Sequence, residues 1–257
     1  MILSVKNASF AYKKGNTVFE DVTFDISSGE IMSILGANGS GKTTLLRCVM
    51  GMLKLKKGEV LLDGEKIGSL SQKKLWQKIA YVPQARGVYS SLDVKNMILL
   101  GTASRVGVFS SPGEREERLA ILTAERLGIT HLLDKKCSEV SGGELQMVLI
   151  ARALAAEPEV MILDEPESNL DFRNQLIVLD TLSTLAKDGL CCIFNTHYPE
   201  HALARADKSL LLCRDKALFG RTDEIITEEN IRLAFGVEAV IGGLDSHMTV
   251  IPTGIIK

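Results

Sequence analysis

Residues 36–43 form a glycine-rich segment that limits the possible folds of this chain more than any other feature. They read Gly36-Ala37-Asn38-Gly39-Ser40-Gly41-Lys42-Thr43 and match the pattern GxxxxGK followed by Ser or Thr. An apolar strand pattern precedes them at 31–35, and an amphipathic helix pattern begins at Lys42. Glycines let backbone N–H groups wrap a phosphate, Lys42 neutralises its oxygens, and the Thr43 hydroxyl can bind Mg²⁺. The segment therefore predicts a phosphate-binding loop between a buried strand and a helix.

Two adjacent carboxylates, Asp164 and Glu165, follow a second apolar stretch at 160–163. A phosphate loop needs a carboxylate for its magnesium ion, usually at the end of a neighbouring apolar strand. We expect Asp164 to hold Mg²⁺ directly or through water, and Glu165 to polarise or deprotonate the attacking water. Asp-Glu-Pro at a strand end can also be a solvated turn, but the phosphate loop in the same chain favours a catalytic pair.

Strand and helix patterns alternate along most of the chain. Apolar strand patterns occur at 3–12, 22–26, 31–35, 59–62, 79–82, 160–163, 191–196 and 210–213. From about 91 to 156 the patterns are mainly helical, broken by a loop at 109–113, and an amphipathic helix is expected at 174–187. The C-terminal residues predict only a small helix near 228–235 and a strand near Val250. This alternation is typical of an α/β fold with a parallel sheet covered by helices.

Composition and charge exclude several classes of protein. With 46% hydrophobic residues, 22 Gly and 6 Pro, the chain is neither collagen-like nor disordered. The 30 basic and 32 acidic residues give a net charge of −2, so there is no electrostatic reason to expect nucleic acid as a partner. The N-terminal residues do not read as a secretory signal, and no run of about 18 apolar residues predicts a membrane span. Any membrane part of its function is therefore expected from another polypeptide.

The cysteines predict no disulfide framework. They are odd in number, have no CxxC spacing and mostly occur in apolar runs: Cys48, Cys137, Cys191, Cys192 and Cys213. We interpret them as small core residues in a reducing cytosol.

Further motifs carry a resemblance to a known family. The segment Ser141-Gly142-Gly143-Glu144 resembles the LSGGQ signature of ABC-type ATPases, and His197, after an apolar strand, resembles their switch histidine. Three more motifs complete the family's order over about residues 1–220: Gln84 as the Q-loop, Ser168-Asn169-Leu170-Asp171 as the D-loop, and Tyr12 as the aromatic that stacks on adenine. The chain therefore resembles the ATP-binding subunits of ABC transporters.

Some of these residues have a second interpretation. Ser141 with Glu144 is also an S-x-x-E capping box, which can coexist with a signature role. Phe10, two residues from Tyr12, could be the stacking ring instead. The signature opens with Val140 where the family usually has Leu, and it carries Glu144 where Gln is commonest.

The resemblance implies an ATPase that converts ATP to ADP and phosphate with Mg²⁺. Its nucleotide-binding residues would be Tyr12, Gly36, Ala37, Asn38, Gly39, Ser40, Gly41, Lys42, Thr43, Thr44, Ser141, Gly142, Gly143, Glu144 and Asp171. Its catalytic residues would be Glu165, His197 and Gln84, and its metal ligands Thr43, Gln84 and Asp164. Glu167 stands where the family commonly has Thr and adds a carboxylate near the expected dimer seam.

The same resemblance implies an architecture. It would be a P-loop NTPase core with a parallel sheet covered by helices, an antiparallel N-terminal β-subdomain and an inserted helical subdomain. We predict a core at 1–90 and 157–220, the helical subdomain with the signature at 91–156, and a small C-terminal extension at 221–257, all within one ABC ATPase domain.

Softer similarities favour one branch of the family, the ATPases of iron–siderophore, haem and cobalamin importers, with other metal-chelate importers next. They lie at 99–101, 109–112, 127–132, 148–155 and 170–175. Membership would imply a homodimer at the cytoplasmic face of a prokaryotic membrane. Two transmembrane permease subunits would dock near the Gln84 loop and helical subdomain, and an extracytoplasmic binding protein would supply the cargo.

Two other functions remain to be weighed. A soluble ABC-type ATPase acting on DNA or ribosomes is disfavoured, since the chain has one cassette, no long coiled-coil insertion and no basic stripe. A nucleotide-binding module without turnover is disfavoured by the intact Asp164, Glu165 and His197.

Overall fold

The computed structural model describes residues 2–12, 15–84, 91–105, 112–245 and 247–256. Residues 109–111 of the predicted loop lie outside these ranges. The strands are β1 (Ile2–Ala11), β2 (Thr17–Ser27), β3 (Ile31–Leu35), β4 (Lys57–Leu62), β5 (Glu65–Lys66), β6 (Ile79–Val82), β7 (Val160–Asp164), β8 (Cys191–Asn195), β9 (Lys208–Leu212), β10 (Ala217–Arg221), β11 (Val237–Leu244) and β12 (His247–Ile255). The α-helices are α1 (Lys42–Val49), α2 (Gln72–Lys78), α3 (Val94–Leu99), α4 (Glu114–Arg126), α5 (Gly142–Leu154), α6 (Phe172–Lys187), α7 (Pro199–Arg205), α8 (Thr222–Ile225) and α9 (Glu228–Phe235).

The chain divides into two compact units, and the first contains residues 1–70 and 185–257. Its N-terminal strands β1, β2, β4 and β5 pair in antiparallel fashion, as expected for the N-terminal β-subdomain. β3 pairs in parallel with both β8 and β9, and β10 adds an antiparallel neighbour to β9. Every residue of β3 and β8 is buried, which is typical of strands covered on both faces. This sheet is therefore mixed, because β10 reverses the predicted parallel direction.

The C-terminal residues of the first unit are more ordered than their sequence pattern indicates. β11 and β12 form an antiparallel hairpin. Ala239 of this hairpin and Ile231 of α9 belong to the same buried cluster as Leu35 of β3 and Leu211 of β9. This segment therefore packs on the strands of the first unit.

The second unit, residues 71–184, contains the parallel pair β6–β7 and helices α2 to α6, of which α6 continues to Lys187. α5 is its most buried helix, with an unbroken buried run from Gln146 to Ala151. Helices α3, α4 and α5 occupy the stretch predicted to be mainly helical. The α/β character and most strand positions therefore agree with the sequence patterns.

The cysteines are free thiols, and all but the partly buried Cys213 are fully buried, so their predicted place in the core is confirmed. Burial raises the pKa of both Cys48 and Cys192 to about 12 and keeps these thiols protonated at neutral pH. In the part of the chain that the structure describes, no helix combines the length and apolar character needed to cross a membrane.

Gly101 allows close packing against α5. A Cβ atom at this position would overlap the backbone carbonyl oxygen of Arg152, which cannot rotate away. We expect Gly101→Ala to lower the free energy of unfolding by about 2–3 kcal/mol because the helix backbone must shift. Urea unfolding measures this change. Gly68→Ala is the control, since a Cβ there meets no atom within 4 Å; equal stability of the two variants would contradict the packing argument.

Candidate nucleotide site

The phosphate loop follows β3 directly and leads into α1, as predicted. Two of its three glycines, Gly36 and Gly41, fill positions where a side chain does not fit. At Gly36, where φ is +148°, a Cβ would lie 2.6 Å from the carbonyl oxygen of Leu212. At Gly41, where φ is +98°, it would lie 2.6 Å from Val18 Cγ1. The left-handed residue Gly41 turns the loop into the helix, so that the N-terminus of α1 points its N–H groups at the loop.

Lys42 is the first residue of α1, and it is buried with its side chain directed back onto this loop. Its Nζ donates hydrogen bonds to the carbonyl oxygens of Gly36 (2.6 Å) and Ala37 (3.1 Å) and lies 3.4 Å from Nδ1 of His197. An ammonium group only donates, so a hydrogen bond between these two atoms has Lys42 as its donor. The parallel pairing of Ile34 with Asn195 brings the two segments together. The structure therefore joins two predicted site residues that lie 155 positions apart.

Ser40 supplies a polar atom that fits a phosphate oxygen. Among the residues that the structure describes, its buried Oγ has no hydrogen-bond partner. Buried hydroxyl groups in proteins are almost always hydrogen-bonded. A phosphate held by the loop would supply the acceptor, and Ala37, Asn38, Gly39 and Thr43 are at least partly accessible around it.

The two candidate aromatic rings differ in accessibility. Tyr12 is 49% exposed, and its Oη lies 3.3 Å from Oγ1 of Thr44. Phe10 is 7% exposed and packs on Phe19. The Phe10 and Tyr12 rings meet edge to face, with centroids 5.0 Å apart. Tyr12 is therefore accessible to solvent beside α1, while Phe10 is a core residue.

The second unit carries the carboxylates. β6 and β7 pair in parallel with Val82 opposite Leu163. Asp164 is the last residue of β7, Glu165 follows it directly, and Gln84 lies two residues after the end of β6, so all three lie at the carboxyl ends of neighbouring strands. The side chains of all three are partly accessible. Their amide and carboxylate oxygens are ligand types that Mg²⁺ accepts.

Glu165 has an unusual backbone conformation. Its φ is +49°, in the left-handed region that non-glycine residues rarely occupy. The N–H of Ser168 donates to its carbonyl oxygen at 3.1 Å, and Ser168 Oγ donates to its Oε2 at 3.2 Å. Such strain costs of the order of 1 kcal/mol and tends to occur at functional sites. The turn thus fixes both the backbone and the carboxylate of Glu165.

The signature segment forms the capping box that its sequence predicts. The N–H of Ser141 donates to Oε2 of Glu144 at 2.8 Å, and the N–H of Glu144 donates to Ser141 Oγ at 3.3 Å. The Ser141 N–H holds the pKa of Glu144 below its usual range. Ser141 and Gly142 are exposed, while Gly143 is buried, and a Cβ there would overlap Asn174. The N-terminus of α5, where the helix dipole gives a positive potential, therefore stays accessible when the capping box is formed.

Asp171 caps the N-terminus of α6. Its Oδ1 accepts from the N–H of Asn174 at 2.8 Å, and its Oδ2 from Asn174 Nδ2 at 3.0 Å. Asn174 thereby links the start of α6 to the signature glycine Gly143. Glu167, in the preceding turn, is fully buried, so its carboxylate is not part of the surface that a partner would meet.

Comparison with known proteins places the chain in a family. Residues 19–168 match the family model described as ABC transporter. The chain belongs to the ABC transporter family. This ABC protein is 35% identical to the molybdate import ATP-binding protein MolC of Haemophilus influenzae. The alignment covers 91% of this chain and 87% of MolC. The chain is also 35% identical over 85% of its length to a Helicobacter pylori ATP-binding protein named for iron chelatin transport, covering 86% of it.

The fold of this ABC protein also matches a solved structure. A metal-chelate type ABC transporter in an inward-facing conformation superimposes with a TM-score of 0.86 at 32% identity, over 99% of this chain and 98% of that chain. The predicted family, the α/β ABC ATPase fold and the ATPase class are therefore confirmed. ATP binding follows from the family, while the roles of single residues stay predictions.

One residue of the site escapes motif analysis. Tyr81, three positions before Gln84, donates a hydrogen bond from its Oη to Oδ2 of Asp164 at 3.0 Å. The register of β6 and β7 creates this contact, and a partly polar residue near the end of an apolar strand is its only trace in the sequence.

Proposed function

We propose that this chain is the ATP-hydrolysing subunit of a membrane importer for a metal chelate of the iron–siderophore, haem or cobalamin type. The observation that carries the proposal is the likeness, over nearly the whole length of both chains, to a metal-chelate type transporter. The relative named for iron chelatin transport supports the same branch. MolC, named for molybdate import, has the same 35% identity to this chain as the relative named for iron chelatin transport. The cargo is therefore proposed only as a class.

In this proposal the phosphate loop holds the ATP phosphates. The loop N–H groups and the N-terminus of α1 bind phosphate oxygens, Lys42 neutralises them and Ser40 Oγ donates to one. The adenine stacks on Tyr12, whose greater exposure favours it over the buried Phe10. His197, already beside Lys42, contacts the terminal phosphate and orients the attacking water.

Thr43, Gln84 and Asp164 would hold Mg²⁺. One hydroxyl, one amide oxygen and one carboxylate suit this ion, which takes few protein ligands and keeps several waters. When bound, Mg²⁺ neutralises charge that develops on the phosphate oxygens. Glu165 acts as the general base, since its carboxylate is fixed by Ser168 at the end of β7.

Two copies of the chain work together in this proposal. The accessible N-terminus of α5, with Ser141 to Glu144, completes the nucleotide site of the other copy, and Asp171 lies beside that contact. ATP can shift the pair toward its closed state only because it binds that state more tightly than the open one. Hydrolysis removes this difference and lets the pair open.

The partners follow from the same proposal. Two permease subunits dock near Gln84 and the helical subdomain at 91–156, at the cytoplasmic face of the membrane, and an extracytoplasmic protein delivers the cargo. The predicted core at 1–90 and 157–220 and the extension at 221–257 complete the domain. The alternative, a soluble ATPase acting on DNA or ribosomes, is not favoured, because the cited relatives are named for import or transport and the net charge is −2.

Affinity purification tests the import function. The chain carries a tag in its native organism, membranes are solubilised gently, and co-purifying proteins are identified by mass spectrometry. We expect one strongly apolar permease in equal amount, because each ATPase copy pairs with one permease copy. Cells that lack the chain should lose uptake of a radioactive iron chelate and regain it with the intact gene but not with Lys42→Ala. Recovery of ribosomal or DNA-maintenance proteins instead of a permease would contradict the proposal.

A further inference from the structure

A tyrosine hydroxyl contacts the residue assigned to magnesium. Tyr81 lies opposite Ile162 in the parallel pairing of β6 with β7, and its ring is partly buried. Its Oη and Oδ2 of Asp164 are 3.0 Å apart. The contact thus joins two side chains near the carboxyl ends of neighbouring strands in the same unit.

The hydrogen bond runs from the tyrosine to the aspartate. A phenol hydroxyl can donate its proton, while a carboxylate oxygen only accepts, so Oη of Tyr81 is the donor and Oδ2 of Asp164 the acceptor. A donor fixed on one carboxylate oxygen limits rotation of the whole carboxylate. Ligating groups in metal sites are commonly held by such a partner, whose loss weakens metal binding about 10- to 100-fold.

We propose that Tyr81 is a positioning residue that holds Asp164 in the orientation in which it binds Mg²⁺ together with ATP. The inference rests on the proposed function, which assigns Asp164 to the metal. It adds a residue outside the family motifs, found only through strand register.

A purely structural role for the hydroxyl makes a different prediction. β6 and β7 are already paired at four successive positions, from Ile79 with Val160 to Val82 with Leu163. If the side-chain bond only reinforced this pairing, removing it would lower stability and leave metal affinity unchanged. A positioning role predicts that removing the hydroxyl lowers metal affinity and leaves stability unchanged.

Tyr81→Phe removes only the hydroxyl. Mn²⁺, which accepts the same oxygen ligands, is titrated into the purified full-length chain with ATP and followed by electron paramagnetic resonance. We expect the Kd of Mn²⁺ to rise about 10-fold, while metal-free ATP binding and the thermal midpoint stay unchanged. The Mg²⁺ concentration for half-maximal ATPase activity should rise equally, with little change in kcat at saturation. Thr123→Val, which removes a buried hydroxyl bonded to Leu119 at 2.8 Å, should change none of these values.

An unchanged Mn²⁺ affinity in Tyr81→Phe overturns the proposal, whatever happens to stability. Asp164→Asn separates the two possible failures. If Asp164→Asn weakens Mn²⁺ binding and Tyr81→Phe does not, the role of Tyr81 alone is wrong. If neither change weakens binding, the assignment of Asp164 to the metal also fails.

Discussion

Replacing Lys42 with alanine is expected to weaken ATP binding about 100-fold and to abolish measurable hydrolysis. The Lys42 ammonium is buried within the phosphate loop, 2.6 Å from the carbonyl oxygen of Gly36 and 3.4 Å from His197. Hydrogen bonds to charged groups contribute about 1.5–3 kcal/mol each, and about 2.7 kcal/mol corresponds to 100-fold in affinity. Alanine removes both the charge and the donors. Titration with a fluorescent ATP analogue measures the loss.

Lys54→Ala is the matched control for this prediction. Lys54 is exposed on the same unit, so its replacement removes the same charge away from the loop and should leave ATP affinity unchanged. Thermal unfolding of Lys42→Ala shows whether the loop still folds without its internal bonds. Tight ATP binding by a folded Lys42→Ala protein would mean that the glycine-rich loop is not the phosphate site.

Glu165→Gln is expected to keep ATP binding and to lower kcat at least 100-fold. A general base typically contributes 10²- to 10⁴-fold to the rate, and glutamine cannot accept the proton. The amide oxygen of glutamine can still accept the hydrogen bond from Ser168 Oγ, so the turn with φ of +49° should persist. Phosphate release under saturating ATP measures kcat, and equilibrium binding measures affinity separately.

Glu159→Gln controls for the loss of a negative charge near the same strand. Glu159 precedes β7 at its other end and pairs with Lys78 at 2.7 Å on the surface, where such pairs contribute little. Its ATPase rate should match that of the unmodified chain. Full turnover by Glu165→Gln would assign the base to another residue and would leave the left-handed turn without a catalytic explanation.

Several elements of the fold could be predicted because their apolar patterns are continuous. β3 has the predicted bounds Ile31–Leu35, and α1 begins at Lys42 as expected. All five residues of β3 are buried, and all but Ser33 are apolar, so the sequence shows a short, strongly apolar segment. A strand of this kind, followed by a glycine loop and a helix, has few alternative structures.

Other elements were missed because their burial is slight. α2 has only Leu75 fully buried, although Ser71, whose side chain caps this helix, was an available signal. β11 contains Gly242 and Gly243, which normally weaken a strand pattern. Its pairing with β12, rather than its own composition, stabilises it.

The features of the candidate site also differ in how far the sequence alone could predict them. Lys42, His197 and Glu165 are predicted site residues because they stand in the motif order of the ABC family and have side chains suited to phosphate binding and proton transfer. The contact of Tyr81 with Asp164 depends on strand register, which follows from three-dimensional pairing and cannot be counted along the chain. The contact of Lys42 with His197 likewise required the pairing of β3 with β8.

The order of strands around β3 has a consequence for the chain as it leaves the ribosome. β3 is synthesised early, but both of its pairing partners, β8 and β9, follow more than 150 residues later, as does His197, 155 positions after Lys42. At about 5–20 residues per second, this interval lasts roughly 8–30 s. Throughout it the apolar strand Ile31–Leu35 has no strand to pair with, and unpaired apolar strands are prone to aggregate. We therefore expect this chain to be open to aggregation through β3 during its own synthesis, until β8 and β9 have been made.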